Sequence, residues 1–155
     1  ELSRVAREEF GMAGAVQHGA STLPEDAFDK FPAIATAEIH LATGFQNIMY
    51  EHLPSDFREH LCNQIRQAFA SERTAKDSEE QFLYKTRKKA FGLAKKDWWG
   101  LDSAVRKKMM AALEAKFLLI FNKLKVANTH SLVAHHVKTA YAPKPINGDA
   151  ARLLS

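Results

Sequence analysis

The chain has 155 residues, 46% of them hydrophobic, which is enough for one ordinary globular core. No stretch approaches the roughly 20 consecutive apolar residues of a membrane-spanning helix, and none joins a charged start to an apolar block as a signal peptide does. A single cysteine, Cys62, excludes an internal disulfide and fits a reducing cytoplasm, while a net charge of +4, its excess after Tyr84, permits anionic ligands without demanding them.

Leu2, Val5, Ala6 and Phe10 recur at helical spacing opposite Arg4, Arg7 and Glu8, so the chain opens in a helix that Gly11 stops. Residues 13–17 are short and nearly all apolar, which predicts a strand covered on both faces. Thr22 and Glu25 have capping-box spacing and Pro24 suits a first turn, so a short helix is expected over 22–30, ended by Phe31 and Pro32. Residues 37–42 predict a second strand, followed by a helix over 44–52 that Pro54 closes; His52 reads as a solvated helix-end residue. Two strands joined by a helical crossover run parallel, so His18 and His40 are expected at the same edge of the sheet, where ligands sit.

Beyond Pro54 the pattern is helical. Ser55 is placed to cap a segment whose Phe57, Leu61, Ile65, Ala68 and Phe69 form a stripe, with Cys62 at its margin as a packing residue. After a polar break over 71–77, Ser78 and Gln81 form a second capping-box signal, opening a helix through Phe82, Leu83, Ala90 and Phe91. Asp102 or Ser103 opens the longest helix, marked by Val105, Met109, Leu113, Phe117, Ile120 and Leu124. Thr129 is expected to cap a last one carrying Leu132, Val133, His136, Val137 and Ala140. The organisation expected is a strand-helix segment over 1–53, a helical extension over 54–141 and a loosely ordered tail over 142–155.

Two clusters carry competing readings. Lys85, Arg87, Lys88, Lys89, Lys95 and Lys96 are interleaved with Tyr84, Phe91, Trp98 and Trp99, a composition that can track a phosphate backbone and stack bases. Phe82, Ala90 and Phe91 already define a buried stripe and no nucleic-acid motif accompanies the charges, so the aromatics read as core and nucleic acid is not expected as a partner. Arg87 is a candidate for reaching a phosphate. His130, His135 and His136 lack the three- or four-residue spacing that puts ligands on one helical face; His135 is expected in water and His136 packed.

Residues 16–21, Val-Gln-His-Gly-Ala-Ser, are the stretch richest in chemistry. A strand that ends in His-Gly-X-Ser fixes an imidazole, then a backbone without Cβ, then a hydroxyl beside the next helix start; these are the parts of a metal and phosphate site, though the six residues by themselves read more readily as a strand-to-helix turn with a partly buried histidine. Together with Glu38-Ile39-His40-Leu41-Ala42-Thr43, this stretch resembles the last two strand-loop units of the class II, zinc-dependent fructose-bisphosphate and tagatose-bisphosphate aldolases. In that family an apolar strand ends in His-Gly-Gly-Ser or His-Gly-Ala-Ser, and the next strand reads close to Lys-Ile-Asn-Ile-Asp-Thr.

The resemblance covers about the first third of the chain, and it implies a fold and a set of roles. The fold is α/β: a carboxyl-terminal fragment of a TIM barrel, with two parallel strands over 13–17 and 37–42, followed by a mostly helical extension. Such a barrel takes about 250 residues, and this chain opens at Glu1 without methionine, so a piece of a longer protein is expected. His18 falls on a zinc ligand, and Gly19, Ser21 and Thr43 on phosphate-binding positions. His40 stands where the family has an asparagine that holds the triose, and is the candidate catalytic residue. Ala42 replaces an aspartate or asparagine. The function implied is a metal-dependent aldehyde-lyase acting on a phosphorylated ketose, with zinc as cofactor in an incomplete site, and with a homo-oligomeric full-length protein. The alternative is a non-catalytic aldolase-like scaffold whose helical tail mediates assembly or partner binding.

Overall fold

The computed structural model describes residues 1–138 and 140, and the chain divides into two compact units, Glu1–Lys125 and Val126–Ser155. The first is mostly helical with one two-stranded parallel sheet. Helix α1 spans Leu2–Glu8. Strand β1 (Val16–Gln17) pairs with β2 (Glu38–Ile39) in the register Val16 with Glu38 and Gln17 with Ile39. Backbone bonds from Ala37 to Ala15 (2.9 Å) and from His40 to Gln17 (2.8 Å) extend the pairing beyond both ends. Helix α1 holds the start of the sheet: the buried Ser3 hydroxyl accepts from the Ala15 amide at 3.1 Å, and Arg7 donates to the Ala35 carbonyl at 2.8 Å.

Several local expectations change here. Both β1 residues are exposed, because a sheet of two strands has one neighbour per strand and no second layer over Val16. The expected helix over 22–30 is instead two 3-10 turns, Ala20–Thr22 and Glu25–Ala27, and the Thr22 capping box does not form. Phe31 and Pro32 do not end a helix; they lie inside α2 (Lys30–Ala33), where Phe31 is buried against Phe28. Proline is tolerated there because a first-turn N–H has no intrahelical partner to lose.

Helix α3 spans Thr43–Glu51 and α4 spans Ser55–Ala68, with Pro54 rather than Ser55 at the N-cap position. The Ser78 capping box is present on α5 (Glu79–Thr86): the Ser78 hydroxyl accepts from the Gln81 amide and the Gln81 side chain accepts from the Ser78 amide. The continuous helix expected through Phe91 is broken by a 3-10 turn at Arg87–Lys89, before α6 (Ala90–Leu93) and α7 (Lys95–Trp99). Asp102 caps α8 (Ser103–Lys123), accepting from the Ala104 amide at 2.7 Å.

Two hydrophobic cores result. The larger joins Tyr50 and Leu53 to Leu61, Ile65, Phe82, Ala90, Trp98 and Met109; Trp98 stacks on Phe91 at 4.6 Å and meets Tyr50 and Phe57 edge-on at 5.7 Å. The Trp98 indole donates to the Ala90 carbonyl and the Tyr50 hydroxyl to the Arg87 carbonyl at 2.7 Å, and burial pushes the Tyr50 phenol up to about 12. The smaller core gathers Ala20, Phe28 and Phe31 around Ile120. Cys62 is half-buried, and burial raises its thiol above the ordinary range.

In the second unit, α9 spans His130–His136. Thr129 occupies its N-cap position without capping it, since the hydroxyl donates back to the Val126 carbonyl at 2.8 Å. His136 is exposed rather than packed, edge-on to His135 at 4.7 Å. The loosely ordered tail expected over 142–155 lies outside the described residues. No helix among the described residues is long and apolar enough to cross a membrane.

Leu61 and Ile65 are fully buried on α4, so Leu61→Ala or Ile65→Ala is expected to lower unfolding free energy by about 2–5 kcal/mol in denaturant titrations. Lys85, together with the Thr74 hydroxyl and amide, holds the Asp77 carboxyl down to about 2. A folded pKa below the unfolded value of about 3.9 stabilises the fold above that value, and the contribution is lost as pH falls through the folded one. Thermal unfolding between about pH 4 and pH 2 should therefore be steeper for the parent chain than for Asp77→Asn.

Candidate functional site

The site begins where β1 ends. His18 follows Gln17 directly, and Gly19 (φ 71°, ψ 15°) turns the chain through the left-handed region into the 3-10 turn that carries Ser21. No atom lies near a Cβ built at Gly19, so glycine is required by the backbone angle and not by crowding. Ala20, fully buried in the smaller core, fixes the turn beneath the exposed His18.

His40 leaves β2 at the same end of the sheet. Parallel pairing brings the His18 and His40 rings to 4.4 Å between centroids at an interplanar angle of 31°. His40 Nε2 lies 2.5 Å from Glu38 Oε1. Side chains two apart on a strand share a face, which is the signal in the sequence that could have named Glu38 as a site residue.

The next helix brings Gly44 against Ser21. Thr43 is not a strand-end residue but the first residue of α3. A Cβ on Gly44 would stand 2.3 Å from the Ser21 carbonyl oxygen, so the absence of a side chain is what lets the α3 amino terminus lie against the Ser21 turn. The α3 N-cap residue is Ala42, which offers no capping side chain. A helix start in that state leaves first-turn backbone N–H groups without a side-chain partner, the arrangement that suits an anion.

Ser21 and Gly44 also line a cleft of about 410 Å3 together with Asn47, Glu25 and Lys116. Lys116 pairs with Glu25 at 2.7 Å and holds that carboxyl below its ordinary value. Nothing in the sequence around position 116 signals this role, because α8 reaches Glu25 from 91 residues away. His18, His40 and Thr43 are not in the lining of this cleft.

Arg87 is committed elsewhere: its guanidinium lies 4.2 Å over the Tyr84 ring and donates to the Asn47 side-chain oxygen. His52 is an exposed helix-end residue whose Nδ1 meets the Ile48 carbonyl at 2.8 Å. Of the four aromatics in the basic cluster, Trp98 is buried and Phe91 half-buried, while Tyr84 and Trp99 are exposed; Lys85 and Lys89 are paired with Asp77 and Glu72.

Two imidazoles are a suitable start for zinc, whose catalytic sites use about three protein ligands. Among the described residues no group of three or more His, Cys, Asp or Glu side chains is placed to share one ion. Compared with family models, curated proteins and solved structures, the chain matches none.

Gly44→Ala should push α3 off the Ser21 turn. The expected result is a loss of about 1–3 kcal/mol in chemical denaturation, whereas Gly19→Asn, which tolerates the left-handed angle, should cost less than half as much.

Proposed function

We propose that this chain is the carboxyl-terminal part of a class II aldolase-like lyase, with β1 and β2 as two strands of a TIM barrel and a phosphorylated ketose as substrate. The reading rests on one observation: parallel strands put the imidazoles of His18 and His40 in contact at one sheet edge. His18 would be one ligand of a zinc ion completed by residues outside this cluster. Such an ion would supply Lewis-acid polarisation of the substrate carbonyl. His40, braced by Glu38, faces the substrate and donates a hydrogen bond where the family has an amide. Gly19, Ser21 and Thr43 hold the phosphate at the uncapped start of α3. The full-length protein is cytoplasmic and a homo-oligomer.

A second reading, a non-catalytic scaffold whose helices bind a partner, is favoured by Ala42 and His40, which replace the family's usual groups. Metal analysis of the full-length protein separates the two. The lyase reading expects stoichiometric zinc that His18→Ala removes, and aldol cleavage whose KM rises about tenfold in Ser21→Ala, the loss of one hydrogen bond to a charged group. Protein free of zinc and inactive at any metal concentration would overturn it in favour of the scaffold.

A further inference from the structure

A second cleft lies away from the sheet, on the helical side of the molecule. It has a volume of about 340 Å3, at the lower end of the roughly 300–1,000 Å3 range of small-molecule sites. Its floor is Met49, Phe91, Trp98 and Met109, and its walls include Trp99 and Met110, which are 69% and 62% exposed. Flexible thioethers beside flat indoles make an adaptable apolar surface.

The polar groups at this cleft are all of one sign. Lys95 and Arg106 line it, and among the described residues no carboxylate does. Lys95 stands 4.9 Å over the Trp99 ring, and Arg106 donates through one nitrogen to the carbonyls of Trp99 (3.0 Å) and Leu101 (2.7 Å). Neither cation meets a carboxylate among the described residues, so neither is neutralised by a salt bridge there. A guanidinium held by backbone contacts through one nitrogen keeps further N–H donors for a carboxylate.

We propose that this cleft binds a small amphipathic carboxylate, its apolar body between Trp99 and Met110 and its head group at Arg106 and Lys95. The site is separate from the His18 edge and does not depend on the lyase reading.

The chain has two tryptophans, both in this cleft, so their emission reports its occupancy directly. The test titrates the full chain with sodium decanoate, decanol and decyltrimethylammonium, each below its micelle threshold. The expected result is a saturable emission shift with decanoate, at about tenfold higher affinity than decanol, weakened by added salt, and no saturable response to the cation. Arg106→Gln and Lys95→Gln should each bring decanoate toward the affinity of decanol while leaving decanol unchanged. Among the described residues the Lys95 side chain makes no backbone hydrogen bond, so its variant keeps the test valid if Arg106→Gln disturbs the turn before α8. Equal affinities for decanoate and decanol, or variants that bind decanoate as the parent does, would overturn the proposal. So would emission of the free protein that changes with its own concentration, which puts a second copy in the cleft, or displacement of decanoate by a single-stranded oligonucleotide, which makes it a base-stacking surface.

Discussion

Helix α8 is the constraint on which the first unit depends. It carries Met109 into the larger core and Ile120 into the smaller one, eleven residues and about 16 Å apart along one helix. Along the same stretch Phe117 stacks on Phe45 at 4.5 Å, and Lys116 and Lys123 pair with Glu25 and Asp29. Exposed ion pairs of this kind add little stability each, so the binding of the strand-bearing segment rests chiefly on the apolar contacts, with the ion pairs fixing register. Without α8, a two-stranded sheet with exposed Val16 and open edges would have little to hold it.

With that spine in place, backbone constraints set both the sheet edge and the start of α3. Parallel pairing aligns His18 with His40, the left-handed Gly19 turns the chain back, and Gly44 admits the α3 amino terminus to the Ser21 turn. Each step is a backbone constraint, and the chemistry-bearing side chains follow from it. The result is a pair of adjacent imidazoles, His40 paired with Glu38, and an α3 start without a side-chain cap.

The elements legible in the sequence were those with local chemistry. Ser78 and Gln81 satisfy each other's backbone amides within one turn, and Asp102 does the same for Ala104, so those helix starts required no distant partner. The Thr22 capping box failed because Phe28 and Phe31 are drawn into the core around Ile120, and short 3-10 turns serve that packing better than a regular helix. Glu38 was within reach of a period-two reading. Lys116 was not, since its place beside Ser21 depends on how α8 crosses α3.

By itself the sequence determined that helices open at Ser78 and Asp102, that two parallel strands lie within residues 13–17 and 37–42, and that His18 and His40 each follow a strand end, because these rest on side-chain periodicity and on hydrogen bonds a few residues long. The tertiary structure alone decided that the two rings touch, that Ser21 meets Gly44 rather than open solvent, and that Trp99 stays exposed while its neighbour Trp98 is buried. Those outcomes depend on close packing between elements far apart in the chain, and close packing is a property of shape that no local pattern encodes.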